Sequence, residues 1–132
     1  MTLETYLSRT YDSIFSRRGL TIDRFEVTRF PARRAATIEA RVRYWDDSLL
    51  RFFEELVEEG FRLRKLEYVY HYQQADGRLV FRYDNAPHYP SISTFPHHKH
   101  VGDGAEERVQ PSQPPQLADV LKEIELLLNT SE

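Results

Sequence analysis

The sequence predicts an α+β fold: a twisted antiparallel sheet of about five strands, an N-terminal helix, a C-terminal helix and a long His/Pro-rich loop. Three observations lead there. Ala36, Ile38, Ala40, Val42 and Tyr44 alternate with Thr37, Glu39, Arg41 and Arg43, the two-residue period of a strand with one wet, charged face. Tyr68, Tyr70 and Tyr72 share one face ahead of Asp76-Gly77, the preferred central pair of a two-residue hairpin turn. Leu117, Val120, Leu121, Ile124, Leu127 and Leu128 fall on one side of a helix, with Pro115 at its start.

Taken in order, Leu3, Tyr6, Leu7, Ile14 and Phe15 recur near helical spacing, with Thr2 as N-cap and Glu4 in the first turn. Gly19 stops that helix. Leu20, Ile22, Phe25, Val27 and Phe30 carry β-type content up to Pro31, and the alternating strand follows. The segment Leu49 to Val57 fits a helix face and a strand alike. A strand is preferred, because Trp45-Asp46-Asp47-Ser48 and Glu58-Glu59-Gly60 resemble tight turns on either side and together make a meander.

In the hairpin a type I′ turn at Asp76-Gly77 places Tyr72 opposite Phe81 and Tyr70 opposite Tyr83. His71 then faces Arg82 and Val69 faces Asp84 on the other surface. A longer four-residue loop preserves those faces, since an even loop keeps parity. After Asp84 come six of the seven prolines, so regular structure is expected to stop until the last helix. A stretch that long without structure marks function or mobility. Residues 102–116, rich in Gly, Glu, Gln, Ser and Pro, are expected to be mobile. The last helix either covers the sheet or docks a partner, and a homodimer is compatible with it.

The 132 residues, 40% hydrophobic, suit one domain over 1–132. The absence of cysteine excludes disulfides, thiolate nucleophiles and Cys-type zinc sites. No leader and no membrane-spanning run is apparent, and a soluble cytoplasmic protein is expected. The formal net charge is only −3, yet the charges are unevenly placed. From Arg17 to Arg43 eight arginines face three acids, and from Asp84 onward eight acids face three basic residues. Guanidinium groups grip phosphate in a bidentate fork, so Arg29, Arg33, Arg34, Arg41 and Arg43 are candidates for binding RNA. The plainer reading is that arginine, fifteen against three lysines, is simply the surface cation of this chain.

Four of the five histidines lie between Phe81 and His100, and loops on rigid scaffolds are where chemistry tends to sit. A metal site completed by Asp84, Asp103 and His88 is one reading. The spacing of His97-His98-Lys99-His100 matches no usual zinc pattern, and the expectation is a site without metal or cofactor. The preferred chemistry is metal-independent phosphodiester cleavage, in which one histidine takes a 2′-hydroxyl proton and another protonates the leaving oxygen. In an extended segment His98 and His100 point to one side and are the acid–base couple. His71 supports them, Arg82 and Lys99 stabilise the phosphorane, and Asp84 orients a histidine or Arg82. Against this stands a structural role, in which the prolines fix the loop, Tyr89 and Phe95 anchor it, and the histidines are surface polar groups.

Tyr70-His71-Tyr72-Gln73, the run from Ala75 to His88 and Thr94-Phe95-Pro96-His97-His98-Lys99-His100 together resemble the signature of the TumE family, the toxin component of prokaryotic type II toxin–antitoxin systems. The resemblance is specific from about Tyr68 to Gly102, weaker through Leu117-Ala118-Asp119-Val120-Leu121, and only general over Met1 to Phe61. It implies a cytoplasmic growth inhibitor neutralised by a cognate antitoxin, a small helix-turn-helix DNA-binding protein from the same operon. It carries no site residue with it. Ribonuclease action is drawn by analogy with small toxins that attack translation, and a non-enzymatic protein- or nucleic-acid-binding module is the rival.

Overall fold

Thr2 opens helix α1 (Leu3–Phe15) by accepting the Thr5 N–H on its side chain, which satisfies one of the donors left free at a helix start. The computed structural model describes residues 1–103 and 106–130, without the Asp103 side chain. Seven strands follow α1: β1 (Leu20–Phe30), β2 (Ala35–Tyr44), β3 (Leu49–Glu59), β4 (Arg62–Gln73), β5 (Leu79–Asp84), β6 (His98–Asp103) and β7 (Glu106–Pro111). Helix α2 (Leu117–Thr130) closes the described chain. All neighbouring strands pair antiparallel in sequence order, so the sheet is one continuous meander.

One face of the sheet carries the core. Ile38, Ala40 and Val42 of β2, Leu50, Phe52 and Leu56 of β3, Tyr68, Tyr70 and Tyr72 of β4, and Phe81 of β5 join Leu7 and Ile14 of α1 and Val120, Leu121 and Ile124 of α2 in a single buried cluster. Both helices therefore cover the same side. Glu54 is fully buried on that side, where it accepts hydrogen bonds from the hydroxyls of Tyr6 and Tyr70 and lies 3.2 Å from Lys65 Nζ. The alternate residues of β2, β3 and β4 form the opposite face, which no helix covers.

Leu49 to Val57 is strand, as the flanking turns required. The ladder of β4 and β5 pairs Tyr72 with Phe81, Tyr70 with Tyr83, His71 with Arg82 and Val69 with Asp84, as expected. The turn that makes it differs. Gly77 has φ +91°, but Asp76 does not share the positive φ that a type I′ turn needs. Gln74 accepts from the Gly77 N–H and pairs with Arg78, leaving a three-residue loop, and Val80 is then skipped in the ladder. The odd loop and the bulge cancel, and parity is kept.

The sheet has seven strands, not about five, and the single long His/Pro-rich loop is not found. Its expected extent is broken by β6 and β7, leaving a connection over residues 85–97. His98, Lys99 and His100 stand in a strand. These strands are six residues each and mostly polar, so neither shows an apolar alternation that a sequence reading can detect. Pro111 ends the edge strand, where a missing N–H breaks no inner ladder. Of the segment expected to be mobile, residues 106–111 are strand, and residues 104 and 105 lie outside the described residues.

Candidate functional site

Antiparallel pairing sets a row of side chains straight across the uncovered face. Arg24 stands opposite Arg41, Arg41 opposite Arg51, Arg51 opposite His71, His71 opposite Arg82, and Arg82 opposite His100. At about 4.8 Å per strand the row runs roughly 24 Å. Like charges directly opposite each other cost stability in a sheet, so a row of four arginines and two histidines is not a packing solution. Part of it is neutralised: Arg24 pairs with Glu26 at 2.7 Å and Glu39 at 3.5 Å, and Arg82 Nε donates to Asp84 Oδ2 at 3.0 Å. Among the described residues, Arg41 and Arg51 have no acidic partner. Both line a shallow groove of about 260 Å³ with Phe53, Val69, His71 and Arg82.

His71 sits half-buried in this row. Burial first, and then the charges of Arg51 and Arg82, hold its imidazole below the ordinary histidine range. Its Nδ1 is buried with no hydrogen-bond partner. The ring is thus kept neutral near pH 7 between two guanidinium groups.

One step along β5 and β6, Asp84 pairs with His98. His98 Nε2 lies 3.0 Å from Asp84 Oδ1, and His100 Nε2 lies 3.6 Å from Asp84 Oδ2. His98 Nδ1 is 2.9 Å from the Pro96 carbonyl, and His100 Nδ1 is 2.5 Å from Glu107 Oε1, though not aligned for a hydrogen bond. The Ala86 N–H donates to Asp84 Oδ1 at 3.0 Å. Tyr89 from the 85–97 connection lays its ring edge-on to both imidazoles, with centroids 5.0 and 5.8 Å away. Asp84, His98 and His100 are all buried, and one ligating atom from each lies within 4.8 Å of the others, a set able to hold a metal ion.

The candidates from the sequence are thus sorted by strand parity. His71, Arg82 and His100 share the row, with Asp84 and His98 beside it. Lys99 faces the helix side, where its Nζ donates to Glu123 at 2.8 Å and lies 4.8 Å from the Tyr83 ring centroid. Of the five arginines read as an RNA stripe, Arg41 is in the row. Arg43 is on the same face, paired with Asp23 at 2.9 Å. Arg29 bonds Glu4 of α1, Arg33 lies over the Phe30 ring, and Arg34 pairs with Glu58, all away from the groove. His88 is exposed, and His97 bonds the Tyr68 hydroxyl at 2.9 Å. The side chain of Asp103, weighed as a metal ligand, lies outside the described residues. Arg24, Arg51 and Glu107 were not among the candidate site residues read from the sequence, and Tyr89 entered only as an anchor of the loop. For Arg51 a signal existed: the turn at Trp45 to Ser48 fixes the β2–β3 register and sets Arg41 against Arg51.

A comparison with protein families matches the family described as Toxin TumE over residues 11–128. Comparisons with curated proteins and with solved structures give no match.

Proposed function

This chain belongs to the TumE toxin family, and from that premise we propose that it is the toxin of a toxin–antitoxin pair that acts on RNA through its open sheet face. The observation that carries the reading is the cross-strand row, above all Arg41 and Arg51, two guanidinium groups opposite each other with no acid to neutralise them among the described residues. Such a surface suits the phosphodiester backbone, whose charge dominates nucleic-acid affinity. The cognate antitoxin, a helix-turn-helix protein by family expectation, covers this basic groove or blocks access to it. A cytoplasmic location follows from an RNA target. Consistent with it, no helix among the described residues is long and apolar enough to cross a membrane.

For cleavage, His71 is the group best placed to move a proton. A neutral, half-open imidazole suits a general base for the 2′-hydroxyl through the ring nitrogen other than the buried Nδ1, and Arg51 and Arg82 on either side offer positive charge to the phosphorane. His98 is 2% exposed with acceptors at both ring nitrogens, which weighs against its touching substrate. Asp84 acts through Arg82, holding its guanidinium at the edge of the groove. A binding module that does not cut RNA is favoured by one observation: His71 is the single half-open imidazole of the row, without an equally open acid beside it.

Incubation of the purified chain with total RNA separates these. Cleavage lost in His71→Gln, with RNA binding retained, supports the nuclease. Binding without cleavage supports the module. Loss of neither binding nor cleavage in Arg41→Ala/Arg51→Ala overturns both.

A further inference from the structure

We propose that Asp84, His98 and His100 form a three-residue site for a first-row divalent metal ion of the zinc class, offering the Asp84 carboxylate and the Nε2 atoms of both imidazoles. The inference does not rest on the RNA reading.

The first argument is distance. Two ligands each about 2.0–2.1 Å from a tetrahedral ion stand roughly 3.4 Å apart. The observed separations, 3.0 Å from Asp84 Oδ1 to His98 and 3.6 Å from Asp84 Oδ2 to His100, lie on either side of that value, and one ligating atom from each of the three residues lies within 4.8 Å of the others. The longer one exceeds the range of an N–H···O hydrogen bond.

The second argument is donor accounting. The Pro96 carbonyl accepts and cannot donate, and Glu107 as a carboxylate likewise. Each therefore favours a proton on the Nδ1 it faces. In a neutral imidazole that leaves Nε2 as a bare lone pair, and both Nε2 atoms face the oxygens of one buried carboxylate. Lone pairs of two imidazoles gathered around one buried carboxylate favour a cation among them. Two additional protons would serve the pairs one at a time, whereas one metal ion serves all three donors together.

The third argument is the surroundings. Histidines that bind metal typically give their other ring N–H to a carbonyl or carboxylate, and ligating carboxylates are themselves hydrogen-bonded. Here Pro96 and Glu107 face the two Nδ1 atoms, while the Ala86 N–H and Arg82 Nε donate to Asp84 at 3.0 Å each. The Tyr89 ring closes the outer side. Two imidazoles and a carboxylate without thiolate suit zinc, and also cobalt or iron in the divalent state, with a position left for water. Bound there, the ion ties β5, β6 and β7 together and fixes Asp84, and through it Arg82 at the groove.

The test uses the full chain, stripped with EDTA and dialysed. Titration with Co²⁺ should give a visible absorption that saturates at one equivalent per chain and is displaced by Zn²⁺. In NMR spectra Zn²⁺ should move the ring signals of His98 and His100, leaving those of His71, His88 and His97 in place. His98→Gln and His100→Gln should abolish saturable binding. Should either fail to fold, Glu107→Gln, whose side chain is half-exposed, should weaken binding about 10–100-fold. No Co²⁺ absorption, binding unchanged in Glu107→Gln, or Zn²⁺ shifts confined to His88 and His97 would each overturn the proposal.

Discussion

Gly102 is where the β5–β6 pairing is most exposed to a single methyl group. A Cβ built on Gly102 would lie 1.8 Å from the Leu79 carbonyl oxygen and 2.8 Å from its carbon. Both obstacles are backbone. Relief requires the two strands to part by about 1.2 Å, a quarter of the roughly 4.8 Å between neighbouring strands, and a close-packed interior does not absorb that. Overpacking typically costs about 1–3 kcal/mol, and a clash with backbone places Gly102→Ala at the upper end, about 3 kcal/mol. For a chain of this length each kcal/mol lowers Tm by roughly 3–5 °C, so thermal unfolding should shift down by about 10–15 °C. Gly60→Ala is the control, since Gly60 has φ +62° and nothing within 4 Å. Its cost is left-handed backbone alone, about 1–2 kcal/mol. The reasoning is refuted if Gly102→Ala melts within about 2 °C of wild type, or later than Gly60→Ala.

The remaining predictions concern charge. His71 is held below its unfolded pKa of about 6.5 by burial and by Arg51 and Arg82, so the unfolded chain binds the proton first. Stability should therefore fall as pH drops below about 6.5 toward the folded value, and urea midpoints of His71→Gln should lose that part of the slope. For Lys99, burial alone would lower the pKa, but its bonds to Glu123 and Tyr83 outweigh it and raise the net value. That stabilisation is fully present below about 10.5 and lost as pH rises through the folded value. Lys99→Ala should cost about 1–2 kcal/mol by denaturation at neutral pH and leave RNA affinity unchanged, because it lies on the helix side. Glu54→Ala strands Lys65 without its carboxylate and should cost about 3–5 kcal/mol, read as a lowered urea midpoint.

How much of this was legible depended on whether a side chain's neighbours lay in the same hairpin. The β4–β5 ladder could be read from Tyr68, Tyr70, Tyr72 and Asp76-Gly77, because turn chemistry and alternation act locally. Even there the three-residue loop and the bulge at Val80 were hidden, since a loop error and a bulge error cancel in the faces they produce. The meander through β3 was legible for the same reason: its turns at Trp45 to Ser48 and at Gly60 are local. Strands β6 and β7 were not, because His98, Lys99 and His100 look polar and their burial comes from Tyr89, Glu107 and α2, elements remote in the chain. The grouping of Asp84 with His98 and His100 was hidden for the same reason: it arises through β5–β6 pairing, which the spacing along the chain does not show. The five arginines of the expected stripe do not share one face. Arg29, Arg33 and Arg34 leave the face that Arg41 occupies, while Arg51 joins it from the next strand.

The claim that the open face grips RNA phosphates is tested most directly by the salt dependence of binding to a labelled single-stranded RNA. Each phosphate contact contributes about 0.7 to the slope of log affinity against log salt. Wild type should bind ever more weakly as salt rises, and Arg41→Ala/Arg51→Ala should bind more weakly throughout, with a slope shallower by about 1.4. Equal affinity and equal slope in the two proteins would contradict the account.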